Sequence, residues 1–243
     1  MLQYEDAKLI VWSDFDGTIT LQDSNDYLTD HLGFGSERRK ELNQQVLYES
    51  VTFRDSFEEM LGSVKHPFEE CKQALLENIT LDPHFAAFYD WCTARQIPVV
   101  VVSSGMEPII RSLLIRLLGE RAHHTHIISN DVHVNADGSW HIIFHDESHF
   151  GHDKSLAIKP YKQLVADGKL KMVYCGDGVS DLSAAKETNL LFAKEGRDLV
   201  DYCKRQNVPY TEFDSFADIH AAVRQLYEGD ATLEDIAANR QSV

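Results

Sequence analysis

The sequence predicts an α/β fold: a mostly parallel sheet with helices, a helical insert and a β-hairpin. Three observations predict it. The runs Leu9-Ile10-Val11-Trp12 and Val99-Val100-Val101-Val102 are apolar throughout, as strands buried on both faces must be. From Ile97 onwards, strand-like and helix-like segments alternate, the pattern of a parallel sheet with crossover helices. Between Asp23 and about Arg95 the periodicity is helical only.

The elements follow in order. Strand Lys8–Trp12 closes on Ser13-Asp14, which sets Asp14 at its C-terminal end. Helical segments are expected near 23–32, 37–49, 53–62, 67–77 and 83–95, separated by breakers such as Gly33, Gly35 and His66-Pro67. Strand Ile97–Val102 runs into Ser103-Ser104-Gly105, with a helix opening near Pro108. Ile127–Ser129, Val132–Val134 and Trp140–Phe144 alternate around the turn Asn135-Ala136-Asp137-Gly138 and read as a hairpin. A helix from about Lys154, strand Met172–Cys175, helix Asp181–Glu187, strand Leu190–Ala193 and helices near 197–206 and 215–228 complete the chain. The expected division is a core of 1–20 and 96–243 with a helical insert of 21–95.

Composition narrows the partners. The formal balance, 23 − 39 = −16, disfavours nucleic acid and anionic membrane surfaces. No apolar run approaches membrane-spanning length, and the acidic start Met1–Asp6 lacks a basic stretch followed by an apolar one, so no secretory signal is visible. Four cysteines without a C-x-x-C pair fit a reducing, cytoplasmic setting better than a disulfide framework or a structural zinc site. The sequence assigns no oligomeric state.

Four polar clusters follow strands or open helices: Asp14-Phe15-Asp16-Gly17-Thr18-Ile19-Thr20, Ser103-Ser104-Gly105, Gly151-His152-Asp153-Lys154-Ser155 and Gly176-Asp177-Gly178-Val179-Ser180-Asp181. In a parallel sheet such loops converge on one edge. Singly each has a bland reading, an Asx turn, a helix cap or an everyday glycine turn. Together, in this order, they resemble the signature motifs of the haloacid dehalogenase superfamily of phosphatases. That resemblance covers nearly the whole chain and implies a Rossmann-like core. The insert resembles the cap of the phosphoserine-phosphatase-like branch. Asp23–Gly35 and Tyr174–Lys194 resemble small fungal members, some associated with sugar-alcohol phosphates.

Residue chemistry supports the same reading. Phosphoryl transfer needs a nucleophile, a cation and donors for the equatorial oxygens. A carboxylate is an established phosphoryl acceptor, and Asp14 stands where the strand ends. Asp16, two residues on, lies on the same side of an extended segment and suits general acid/base work. Carboxylates crowded at 4 Å repel by ~4 kcal/mol per pair at an effective dielectric near 20, which calls for a cation, and an oxygen-only set suits Mg2+. The resemblance implies that the ligands are the Asp14 carboxylate, the Asp16 main-chain carbonyl and Asp177, with Asp181 and Thr18 supporting them. The Ser103 hydroxyl and the N–H groups of Ser104 and Gly105 suit phosphate oxygens. Lys154, expected in the first helical turn behind an Asp153 cap, opposes the helix dipole unless an anion lies between, which assigns it to phosphate binding and transition-state stabilisation.

Other features read as structural. The histidines between His123 and His152 are expected on the surface, Cys175 as a packed small hydrophobe, and Phe53, Phe57 and Met60 mostly as core. In phosphoserine phosphatases a glutamate and an arginine clasp the amino acid; the corresponding places here look like Asp23 and Met60. Without the arginine a substrate carboxylate lacks its partner. The expected substrate is therefore a small-molecule phosphate ester, a sugar-alcohol or sugar phosphate, met by Asp23, Asn25, Asp26 and Met60. The alternatives are a phosphoserine phosphatase or a phosphotransferase with the same site. A non-enzymatic phospho-accepting domain is disfavoured, because it needs no Asp16 poised for hydrolysis.

Overall fold

The computed structural model describes residues 2–48 and 50–238. Met1 and residues 239–243 of the expected core, and Glu49 of the expected second helix, lie outside the described residues. Among the described residues seven strands are formed: β1 (Leu9–Ser13), β2 (Val99–Met106), β3 (His126–Val134), β4 (Trp140–Ile143), β5 (Lys171–Gly176), β6 (Leu190–Lys194) and β7 (Thr211–Phe213). The helices are α1 (Ser24–Leu32), α2 (Ser36–Leu47), α3 (Phe53–Gly62), α4 (Phe68–Asn78), α5 (Phe85–Ala94), α6 (Glu107–Leu118), α7 (Ser155–Ile158), α8 (Lys162–Ala166), α9 (Leu182–Ala185), α10 (Asp198–Gln206), α11 (Phe216–Glu228) and α12 (Leu233–Ala238).

The chain divides into two compact units. The first comprises Met1–Ile19, Asp82–Val102 and Lys154–Val243. Its sheet is parallel in the order β2-β1-β5-β6-β7, as the α/β reading requires. β1 is buried at every residue, which explains a run with no polar alternation. Its register pairs Ser13 with Val101 on one side and with Cys175 on the other. Pro160 breaks the helix expected from Lys154 into α7, a 3-10 turn over Lys159–Tyr161 and α8. The turn at Asp181 is also 3-10, so α9 begins one residue later and ends sooner than the expected Asp181–Glu187 helix. β7 and α12 had no counterpart in the sequence reading.

The second unit comprises Thr20–Leu81 and Ser103–Asp153. Helix starts follow their caps: the Asp23 carboxylate accepts the N–H groups of Asn25 and Asp26 for α1, and Thr52 Oγ1 accepts that of Asp55 for α3. β3 and β4 pair antiparallel, with His133 opposite His141. The hairpin docks on the helices of its own unit. Trp140 Nε1 donates to His66 O at 3.0 Å, the Trp140 ring meets Phe68 edge-on at 5.7 Å, and Phe68 N–H donates to Gly138 O.

These units divide the chain differently from the 21–95 insert. The aromatic face of α5 sets Phe85 and Phe88 against Phe216 of α11, with ring centroids 4.8 and 5.4 Å apart, so this helix packs with the first unit. Helical periodicity names a buried face but not what buries it.

Candidate active site

The first unit gathers the acids where β1 and β5 end. Asp14 N–H donates to Cys175 O at 2.8 Å, tying the first residue beyond β1 to β5. The chain then turns at once, with Ile19 N–H on Phe15 O, and Gly17 takes a left-handed φ of 74°. On the other strand, Asp177 follows Gly176, and its carbonyl accepts the N–H of Leu199 at the start of α10. Asp14, Asp177 and Asp181 each bring a carboxylate oxygen within 4.8 Å of the others. Asp16 is buried and acts electrostatically on Asp14. Thr18 is fully buried, and its Oγ1 lacks a hydrogen-bond partner.

Lys154 corrects one expectation: it stands at the cap position of α7 rather than inside a helical turn behind Asp153. It is fully buried, with Nζ 2.6 Å from Asp14 Oδ1 and 2.7 Å from Asp181 Oδ1. The partners that justify its charge are thus carboxylates of the protein rather than a helix dipole with an anion between. Burial works against the ammonium, but Asp14 and then Asp181 outweigh it and hold its pKa well above the ordinary lysine range. For Asp14, burial and then Asp181 raise the pKa well above the carboxylate range, while Lys154 only partly offsets them.

Asp181 is the organiser of the cluster. Oδ1 accepts from Lys154 and from the Tyr174 hydroxyl at 2.6 Å; Oδ2 accepts the N–H groups of Asp177 and Gly178, both at 3.0 Å. Burial and then Asp181 keep Tyr174 well above the usual phenol range, so it remains a donor. Four donors on one carboxylate leave Asp181 a weaker metal ligand than its position suggests. They make it a clamp on Lys154 and on the Asp177 loop.

The donor set fits a hard divalent cation. The cluster offers only oxygen, and with all three carboxylates ionised beside one ammonium the formal charge is 1 − 3 = −2; the raised pKa of Asp14 reports the cost of that state without a further cation. Such a charge in a largely buried site, with Asp14 and Asp181 buried and Asp177 half-buried, is stable only with compensation. Asp14 and Asp177 are carboxylates that could hold such an ion.

In the second unit, Ser103 is fully buried and Ser104 nearly so. Gly105 N–H donates to Ser103 Oγ at 3.0 Å, so the structure gives this N–H a partner within the chain. Ser104 Oγ is buried without a hydrogen-bond partner. His152 was missed: expected on the surface, it is 1% exposed, with Nδ1 2.8 Å from Ser103 O. The signal was its place beside Lys154 between Gly151 and Asp153. His123, His124, His133, His141, His145 and His149 are exposed as expected, and His126 is half-buried.

The residues expected at the substrate are partly engaged in their own unit. Asp23 caps α1, Asn25 is buried, and Met60 is 4% exposed among core side chains. Asp26 pairs with Arg39 at 2.6 Å, and Asp30 takes the same guanidinium at 2.7 and 2.8 Å. Cys175 is buried, and burial raises its thiol pKa well above the usual range, consistent with a packing role.

Comparison with known proteins gives the geometry a context. A family model for the haloacid dehalogenase-like hydrolases matches residues 11–186. The chain is 51% identical over 240 residues to the polyol phosphate phosphatase PYP1 of Saccharomyces cerevisiae, covering 96% of this chain and all of that one. It is 56% identical over 221 residues to Pdp3-interacting factor 1 of Schizosaccharomyces pombe, covering 90% and 96%. Its fold is similar to that of a phosphoserine phosphatase solved as an analogue of the phospho-aspartyl intermediate, with a TM-score of 0.61 at 18% identity over 92% of this chain and 99% of that one.

Proposed function

Since the chain belongs to the haloacid dehalogenase-like hydrolase family, we propose that it hydrolyses sugar-alcohol phosphates or related sugar phosphates with Mg2+, through a phosphorylated Asp14. It is a phosphatase of that family, and the likeness to a polyol phosphate phosphatase supports the substrate class. The observation that carries the mechanism is Lys154 bonded to both Asp14 and Asp181 in a fully buried cluster.

In the first step an Asp14 oxygen attacks phosphorus, the bond from phosphorus to the substrate oxygen breaks, and Asp16 gives that oxygen a proton, releasing the alcohol. In the second, Asp16 takes a proton from water, whose oxygen attacks phosphorus. The bond to Asp14 breaks and inorganic phosphate leaves. Lys154 neutralises charge beside Asp14, and Ser103 with Ser104 donates to the phosphate oxygens. Asp14, the Asp16 carbonyl and Asp177 would hold Mg2+, which when bound would supply charge neutralisation to the phosphate. Thr18 and Asp181 support these ligands.

The part of the expected 21–95 insert that falls within the helical segment Thr20–Leu81 of the second unit is the part to which we assign specificity. Asp23, Asn25 and Asp26 are assigned as polar partners for hydroxyl groups, and Met60, buried among core side chains, backs this segment with an apolar group in place of an arginine. Arg39, already paired with Asp26 and Asp30, is a poor candidate for a substrate carboxylate, which favours a neutral alcohol over phosphoserine. No helix among the described residues is long and apolar enough to cross a membrane. Four free, buried cysteines suit the cytoplasm, where we place the enzyme. Phosphate release from sugar-alcohol phosphates, sugar phosphates and phosphoserine, with and without Mg2+, tests the reading. Mg2+-dependent release with the highest kcat/KM on a sugar-alcohol phosphate is expected. A preference for phosphoserine, or full activity in Asp14→Asn, would overturn it.

A further inference from the structure

Two side chains that the reaction above does not use hold the Ser103 segment from within its own unit. His152 Nδ1 lies 2.8 Å from the Ser103 carbonyl oxygen. A carbonyl only accepts, so Nδ1 carries the proton and donates. Asn130, 1% exposed, donates from Nδ2 to the Ser104 carbonyl at 2.7 Å and accepts the His145 N–H on Oδ1 at 2.8 Å, a pairing that fixes which end of the amide is which. A planar trans peptide points its N–H opposite its C=O. Holding the Ser103 carbonyl therefore sets the direction of Ser104 N–H. Holding the Ser104 carbonyl sets Gly105 N–H, which donates to Ser103 Oγ. With that acceptor role filled, the Ser103 hydroxyl is oriented to give its own proton elsewhere.

The placement of His152 is itself built. Asp146 N–H donates to Gly151 O at 3.0 Å, and the Asp146 carboxylate accepts the N–H groups of Ser148 and Asp153 at 2.9 and 2.7 Å, tying the loop closed. Gly151 has φ +69°, and a Cβ there would meet Phe144 Cδ1 at 2.2 Å. Phe144 in turn lies under the Arg54 guanidinium at 4.3 Å.

We infer that His152 and Asn130 are positioning residues that fix the two peptides flanking Ser104, so that Ser103 Oγ and Ser104 N–H present donors to a phosphate oxygen. The inference rests on the phosphatase reading and deepens it. The experiment measures hydrolysis of p-nitrophenyl phosphate with Mg2+, inhibition by inorganic phosphate and the thermal midpoint for wild type, His152→Ala, His152→Asn and Asn130→Asp. Each variant is assayed well below its own midpoint. His152→Ala is expected to lose about 10- to 100-fold in kcat/KM and to bind inorganic phosphate correspondingly more weakly, the scale of a small misplacement in an active site. Asn Nδ2–H can stand in for Nδ1–H, so His152→Asn recovers most of the loss. Asn130→Asp, which sets an oxygen against the Ser104 carbonyl, follows His152→Ala, and it carries the test together with His152→Asn should the alanine variant not fold. Variants that lose thermal stability but keep wild-type phosphate inhibition and kcat/KM would make both side chains merely structural and overturn the inference alone. A wild type that hydrolyses no phosphomonoester would remove the reading beneath it as well.

Discussion

The Asp177 carboxylate occupies the space that a side chain at Gly17 would need: a Cβ there would lie 2.0 Å from Asp177 Oδ2. Gly17 also has φ +74°, where an L side chain is strained. The D-x-D-G-T turn and the G-D-G loop thus interlock through the missing side chain.

Gly17→Ala is therefore expected to displace Asp177 and to lose on the order of 100-fold or more in kcat. The backbone strain adds about 1 kcal/mol of destabilisation. Kinetics at several Mg2+ concentrations check this. An alanine variant with wild-type kcat and wild-type Mg2+ dependence would show that the two loops do not depend on each other.

Lys154→Ala is the second test, and the structure changes what it should show. The sequence alone suggests a variant impaired in turnover more than in stability. With Nζ fully buried between Asp14 and Asp181, removing the ammonium leaves two buried carboxylates without their cation, a loss of about 3–5 kcal/mol. Thermal melts should show a large drop, partly reversed by millimolar MgCl2 if the ion takes over the neutralisation. An unchanged midpoint would mean that the ion pairs contribute nothing to the folded state.

How much of this was legible in the sequence depended on whether the signal was local. β1 and the first part of β2 announce themselves as unbroken apolar runs, and the helical segments near 23–32, 53–62 and 215–228 are legible in their local periodicity, with Asp23, Thr52 and Ser215 capping them in the structure. The acids at strand ends were readable for the same reason. β3 is expected as two pieces, Ile127–Ser129 and Val132–Val134, separated by the polar pair Asn130-Asp131. The strand is continuous, and Asn130 is buried because the Ser104 carbonyl and the His145 N–H satisfy its amide. His152 was misread likewise, since its hydrogen bond reaches Ser103, 49 residues away. A polar residue buried by a distant partner leaves no periodic trace.

Asp82 gives the third prediction. It is fully buried; Oδ1 accepts His84 N–H at 2.8 Å, Oδ2 accepts Phe216 N–H at 3.0 Å, and its own N–H reaches Ile19 O. The carboxylate thus joins the starts of α5 and α11, and the main chain of the same residue ties them to the segment leaving the first motif. Asp82→Asn turns one acceptor into a donor facing an N–H and should cost about 1–3 kcal/mol. Denaturant melts would report the loss, while kcat well below the midpoint stays near wild type. A variant as stable as wild type would contradict the bonding described.

The last prediction concerns acid. Burial disfavours the charged form of Asp146, but hydrogen bonds from Ser148 and the Asp153 N–H outweigh it and hold its pKa below the ordinary carboxylate value. A carboxyl whose pKa is lower folded than unfolded adds stability above the unfolded value, about 3.9, and loses that contribution as pH falls towards the folded one. The stability difference between wild type and Asp146→Asn should thus be full at neutral pH and shrink below about pH 4. Denaturant melts from pH 7 to pH 3 would measure it. A difference that stays constant over that range, or grows as the solution is acidified, would mean that the ionised carboxylate is not what ties the loop before Lys154.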